Sequence, residues 1–162
     1  TKSRTSAADA HEDASRGIML AKEALSRGLE VYEIETAIMA AMASVLGGSS
    51  SIRGRVGASH ALSYGLSNSS PTLPHSVAVT ISMLALEELY PDGYANTIRF
   101  LDLNGMEIPK ASDYAIGEKD IPKMTKTASG MEKLWESCFG ADLDKEALPA
   151  FIEDKYRKIL EA

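Results

Sequence analysis

The sequence predicts an all-α protein, and three observations carry this prediction. Apolar residues recur at helical spacing from Ile18 to Val45, on both sides of a break at Gly28. The same spacing returns at the end of the chain between Leu148 and Ile159. No segment shows the sustained alternation of apolar and polar residues that is typical of strands. We therefore expect a helical bundle.

Glycine-rich and proline-rich segments divide the first half of the chain. Two helices are predicted over residues 18–25 and 31–45, because Gly28 interrupts the apolar stripe between them. The segment "GGSSSIRGR", residues 47–55, is too rich in glycine and serine to continue a helix, so it predicts a loop. After Pro74, the segment "HSVAVTISMLALEELY" is apolar on nearly every side and predicts a helix at the centre of the bundle.

Shorter helices are predicted in the second half. Residues 91–93, "PDG", are expected to end the central helix, and "YANTIRFLDLNG" predicts a short helix that closes at Gly105. Residues 106–120 are loop-like, and "IPKMTKTASGMEKLWESCFG" predicts a helix or a pair of short helices ending at Gly140. In this segment Trp135 is expected to pack in the core. The tail from residue 144 predicts an amphipathic helix.

Length and composition indicate one globular domain over residues 1–162. The chain is 44% hydrophobic and 25% charged, with a formal net charge of -6, and this balance argues against nucleic acid as a partner. The single cysteine, Cys138, gives no sign of a disulfide, and we expect an inert core or boundary thiol. Because no apolar run is long enough to span a membrane, we expect no membrane partner and a cytoplasmic protein.

Two of the three histidines lie close together, in "GASHALSYGLSNSSPTLPHSVAV", residues 57–79. His60 is expected on one helix and His75 at the start of the next, so both imidazoles could reach one divalent metal across the loop. A tight site needs three or four protein ligands. On spacing alone, structural or surface histidines are the commoner explanation.

The residues around the histidines resemble a known family. The segment "GASHALSYGLSNSSPTLPHSVAV" is similar to the C-terminal metal-binding segment of the iron-containing (group III) alcohol dehydrogenases, roughly G-x-x-H-A-x-x-H-x-L-G followed by a short loop and P-H-G. The stretch "AMASVLGGSSSIRGRVGASHAL" resembles the helix that leads into this motif. "KDIPKMTKTASGMEKLW" and "DLDKEALPAFIEDKYRKIL" resemble the family's closing helices.

The resemblance implies an all-helical, dehydroquinate synthase-like domain in which one Asp and three His hold iron or zinc. His60 and His75 match the last two of these ligands. A metal in that position acts as a Lewis acid on the substrate oxygen, while NAD or NADP exchanges hydride with an alcohol, an aldehyde or a ketone. The implied partners are a small alcohol or aldehyde and a nucleotide-binding domain.

Three departures from the family pattern bear on the site. Tyr64 stands where many members carry a histidine that relays protons, and a phenol releases its proton far less readily than an imidazole at neutral pH. Ser76 replaces the usual glycine after the second histidine. The family's Asp-x-x-x-His ligand helix is not matched, because the segment "DAHEDA" has Asp13 where the histidine is needed. We expect Asp9, His11 and Asp13 of this segment to form a solvated approach to the first helix.

No glycine-rich phosphate loop or alternating β/α pattern occurs in the sequence. We therefore expect the chain to be the C-terminal part of a longer dehydrogenase, without its nucleotide-binding domain and first ligand helix, and inactive by itself. An apolar docking face should then be exposed and favour a homo-oligomer. The alternative is a free-standing helical interaction domain, derived from this family, that has lost metal binding and catalysis.

Overall fold

A computed structural model describes residues 56–103 and 105–162 continuously, and earlier in the chain residues 12, 15–21, 23, 38, 41 and 42. Within these residues every regular element is helical, which confirms the predicted all-α class. The chain forms two compact units, Thr1–Arg55 and Val56–Ala162. The prediction of a single domain over the whole chain stays a prediction.

The described residues of the unit Thr1–Arg55 lie in helices, in agreement with the helical spacing of this region. Their large apolar side chains are unusually exposed: Ile18, Met19, Ile38 and Met42 each have between 49% and 69% of their surface accessible. Met19, Ile38 and Met42 line a shallow depression of about 840 Å³. These side chains form an exposed apolar surface on this unit.

The unit Val56–Ala162 contains His60 and His75, and its described residues form six α-helices. In chain order these are α1 (Ala58–Ser69), α2 (His75–Leu84), α3 (Pro91–Leu103), α4 (Ile121–Ser129), α5 (Glu132–Phe139) and α6 (Leu148–Glu161). Short 3-10 turns occupy Ala111–Tyr114, Glu118–Asp120 and Gly140–Asp142. The segment "IPKMTKTASGMEKLWESCFG" thus forms the predicted pair of helices, which separates at Gly130.

Helix α1 lies at the centre of this unit and packs against α2, α4 and α5. One face of α1 is fully buried and comprises Ala58, Ala61, Leu62, Ser63, Gly65 and Leu66. At Gly65 neighbouring segments approach α1 very closely. A Cβ added there would lie 1.9 Å from the Tyr156 hydroxyl and 2.8 Å from the Met124 carbonyl oxygen. The small residues of α1 therefore permit neighbours on several sides.

The prediction that the helix after Pro74 forms the centre is wrong. Helix α2 ends at Leu84, and turns follow it, so the predicted helix to Tyr90 is also too long. His75 and Ser76 at its start are exposed, although the rest of the sequence is strongly apolar. An apolar composition alone did not identify the central helix, because close packing on several sides needs small side chains.

One other helix boundary differs from the prediction, at Pro91, and the local chemistry explains it. Pro91 begins α3 instead of ending the preceding helix, since proline suits the first helical position, where no amide donor is required. Gly105 follows α3 with φ +58°, a left-handed conformation that glycine adopts without strain, as predicted for the end of this helix. The loop-like region 106–120 contains two of the 3-10 turns.

The last two helices complete the core. Trp135 of α5 is fully buried, and its indole N–H donates to the carbonyl oxygen of Ala128 at 2.9 Å, which confirms its predicted core position. Helix α6 buries one stripe along its length, made of Leu148, Ile152, Tyr156 and Ile159. Phe151 lies half-buried beside the stripe.

Among the described residues, no helix is long and apolar enough to cross a bilayer.

Candidate metal site

The loop between α1 and α2 brings the two histidines together. His60 lies in the first turn of α1, and His75 is the first residue of α2. The connecting loop is held at its start, where the Ser70 amide donates to the Leu66 carbonyl at 3.0 Å, and in its middle, where Leu73 is buried. The two imidazole ring centroids are 5.5 Å apart, with an angle of 57° between the rings.

Tyr64 lies beside this pair. It follows His60 by one helical turn, so both side chains leave α1 on the same side. The Tyr64 ring centroid is 6.4 Å from that of His75, and the side chain is 43% exposed. The structure therefore brings all three predicted site residues into one group, which we call the histidine–tyrosine cluster: His60, Tyr64 and His75.

The spacing of the imidazoles matches the geometry of a shared metal ion. Two histidines that coordinate one metal at ~2.0–2.1 Å with a tetrahedral angle have ring centroids roughly 5 Å apart. The observed separation of 5.5 Å is close to this value.

The protonation state of His60 also suits a ligand. Partial burial lowers the pKa of the His60 imidazole, and repulsion from the His75 imidazole lowers it further. His60 is therefore mostly neutral at pH 7. A histidine must be neutral to coordinate a metal, so this environment favours the ligating form.

The set of protein ligands for a metal ion is incomplete in the described part of the chain. There, no group of three or more His, Cys, Asp or Glu side chains lies close enough to hold a metal ion. In the segment "DAHEDA", residues 9–14, the candidates Asp9, His11 and Asp13 lie outside the described residues. The described structure thus supplies two imidazoles of the three or four protein ligands that a tight site requires.

An open cleft of about 620 Å³ adjoins the cluster at Tyr64. Val56, Met131 and Leu134 give it apolar walls, while Lys133 and two glutamates contribute charged groups. The glutamates, Glu132 and Glu136, both lie within ion-pair distance of Lys145. The cleft offers apolar contact area next to the Tyr64 hydroxyl.

A contact that the sequence did not predict fixes the start of α1. The Ala58 amide donates to the Tyr90 hydroxyl at 3.0 Å and lies 3.2 Å from the Cys138 sulfur, while the Tyr90 hydroxyl and Cys138 sulfur are 2.9 Å apart. A Cβ added at Gly57 would lie 2.4 Å from the Tyr90 hydroxyl oxygen. Burial and the Cys138 contact raise the pKa of Tyr90.

Cys138 itself is exposed, so it is a boundary thiol and not a core one. Together with Tyr90 it anchors the helix end two residues before His60. Since these residues are 48 positions apart, no local spacing in the sequence could have revealed the contact. The only sequence signal is Gly57, whose lack of a side chain makes room for Tyr90.

No known protein-family model matches the chain. The resemblance to the iron-containing alcohol dehydrogenases therefore depends on the quoted motifs and on no independent family assignment.

Proposed function

We propose that this chain is the metal-binding helical domain of an NAD(P)-dependent alcohol dehydrogenase that interconverts an alcohol with an aldehyde or ketone. The observation that supports this most is the 5.5 Å separation of the His60 and His75 rings. These two histidines match ligand positions of the family motif. Their convergence in space is what a shared metal, iron or zinc, requires.

Each residue of the cluster has a distinct role in this proposal. His60 and His75 would hold the metal through neutral imidazole nitrogens, and the lowered pKa of His60 favours that form at neutral pH. A bound metal would supply Lewis-acid polarisation of the substrate oxygen. Tyr64, exposed beside His75, would donate a hydrogen bond to that oxygen.

The remaining parts of the proposed enzyme come from elsewhere. Two further ligands and the NAD(P) site would be contributed by other segments, consistent with only two imidazoles in the described residues. The cleft beside Tyr64, with Val56, Met131 and Leu134 in its walls, would contact the carbon chain of the substrate.

Metal binding to the chain itself tests the proposal. We expect isothermal titration with Zn²⁺ or Co²⁺ to show weak binding, because water completes the coordination of two protein ligands. His60→Ala and His75→Ala should each abolish it. His11→Ala is the matched control, since it removes the third histidine outside the motif, and it should leave the affinity unchanged. Equal affinity in all variants would refute the assignment of these ligands.

Kinetics of the full enzyme test the role of Tyr64. In a complex that contains the nucleotide-binding half, Tyr64→Phe should lower kcat, because the hydrogen bond to the substrate oxygen is lost. The metal affinity should not change, since the phenol is not a ligand. Tyr64→His, the residue common in the family, should retain activity. If the complex has no NAD(P)-dependent activity while the fold is intact, the alternative of a non-catalytic interaction domain is favoured.

A further inference from the structure

We propose that the unit Val56–Ala162 contains a second small-molecule site, separate from the histidine–tyrosine cluster, that takes an uncharged ligand of about one ring in size with one hydroxyl or carbonyl group. This site, the α2–α6 pocket, is an open depression bordered by α2, α3, the loop after α3 and α6. It shares no lining residue with the cluster. The inference is therefore independent of the proposed dehydrogenase function.

The size and walls of the pocket define the body of the ligand. Its volume is about 150 Å³, and apolar side chains from each surrounding segment form its walls, among them Ile81, Ile98, Ile108 and Ile159. A protein cavity of roughly this volume is large enough to bind benzene. The α2–α6 pocket therefore suits a single aromatic or aliphatic ring.

The charged side chains at the pocket favour neither sign of ligand charge. Glu87 and Lys158, both exposed, are the charged side chains among its lining residues, and they have opposite signs. A carboxylate would approach Glu87 as well as Lys158, and an ammonium group would meet the same conflict. Neither ion would recover the free energy lost when it leaves water, so an uncharged molecule fits best.

One polar group remains to orient a ligand. Tyr94 is half-buried and carries the only hydroxyl among the lining side chains. A buried phenol normally finds a hydrogen-bond partner, since it can both donate and accept. A hydroxyl or carbonyl group on the ligand would provide that partner while the ring occupies the apolar walls.

The test uses four one-ring probes of similar size: phenol, toluene, benzoate and benzylamine. Binding to the full chain is followed by NMR of the isoleucine methyl groups. Phenol and toluene should give saturable shifts at Ile81, Ile98 and Ile159, and the two charged probes should bind at least about ten-fold more weakly. No saturable shift with either neutral probe, or equal binding of a charged one, would overturn the proposal.

Variants identify the site. Tyr94→Phe should weaken phenol by about two- to ten-fold, the usual contribution of one hydrogen bond, and leave toluene unchanged. Tyr114→Phe, which alters another half-buried tyrosine outside the pocket, should change neither. Ile98→Trp fills the space and should abolish both. If Ile98→Trp does not fold, the selective effect of Tyr94→Phe still decides the outcome, because equal weakening of both probes, or of neither, would refute the pocket assignment.

Discussion

The two faces of α1 differ in how closely the other described residues pack against them. The inward face, which includes Leu62, Gly65 and Leu66, is fully buried beneath neighbouring helices. The outward face carries His60, which is half-buried, and Tyr64, which is 43% exposed. One helix thus combines a tightly packed surface with a polar surface that has few partners.

This difference teaches that the fold and the proposed chemistry depend on separate residues of the same helix. Changes to the inward face should unfold the unit and thereby disturb everything it holds. Changes to the outward face should alter ligand binding and leave the stability nearly constant. The five predictions below challenge this separation, beginning with the largest expected loss of stability.

Truncation of a large inward side chain should have the greatest effect. Leu66→Ala removes a fully buried side chain and should lower the free energy of unfolding by about 2–5 kcal/mol, since a cavity remains. Urea unfolding followed by circular dichroism measures this loss. Tyr64→Ala, two positions earlier on the outward face, is the matched control and should cost far less. Comparable losses would show that the two faces are not separate.

Enlargement of the inward face should be the next most harmful change. Gly65→Ala places a methyl group against the Met124 carbonyl and the Tyr156 hydroxyl, and overpacking of this kind costs about 1–3 kcal/mol. Thermal unfolding should show a clear decrease in Tm. Gly117→Ala is a suitable control, because no atom lies within 4 Å of the added Cβ there. A variant at Gly65 as stable as the wild type would contradict the close approach of α1 to its neighbours.

A smaller loss is expected when one buried hydrogen bond is removed. The Tyr156 hydroxyl donates to the Leu62 carbonyl oxygen at 2.8 Å, so Tyr156→Phe should cost about 1 kcal/mol at neutral pH. Urea titration at pH 7 checks this value. Tyr64→Phe, which changes the exposed tyrosine of the outward face, should cost nothing measurable. If the two phenylalanine variants behave alike, the hydrogen bond does not stabilise the fold.

The same tyrosine predicts a dependence on alkaline pH. Burial raises the pKa of Tyr156, so the folded protein keeps its phenol protonated where the unfolded chain releases the proton. This contribution to stability is complete below pH of about 10, the ordinary value, and is lost as the pH rises further. The unfolding free energy should therefore fall above pH 10 in the wild type and fall less steeply in Tyr156→Phe.

The smallest change in stability is expected on the outward face. His75 is exposed, so His75→Ala should change the free energy of unfolding by less than about 0.5 kcal/mol. Metal binding should nevertheless disappear, because one of the two converging imidazoles is gone. Calorimetric titration and urea unfolding of the same preparation give both values. Loss of metal binding together with a large loss of stability would mean that the histidine also supports the core.

Much of this architecture could be predicted from local patterns. The all-α class, the helix pair that separates at Gly130 and the buried stripe of the last helix all follow from apolar periodicity and helix-ending residues. The convergence of His60 and His75 could be predicted because only a short loop joins their helices. In these cases the decisive interactions lie close together in sequence.

Interactions between distant residues could not be predicted in the same way. The position of α1 at the centre depends on Gly65 lying against Met124 and Tyr156, far along the chain. The anchor of the Ala58 amide on Tyr90 and Cys138 spans 32 and 80 positions. One sequence without such pair information shows which residues are apolar or small, but not which of them meet.

The hydrogen bond from Tyr156 to Leu62 has a consequence for the order of folding. It joins residues 94 positions apart, so the central helix acquires its last neighbour only after nearly the whole unit has been synthesised. Until α6 has left the ribosome, Leu62 and Gly65 lack the surface that covers them in the native state. Closing so long a loop has an entropy cost that local contacts do not offset. The nascent chain therefore leaves this face of α1 incompletely covered until the unit is nearly complete, during the period when aggregation competes with folding.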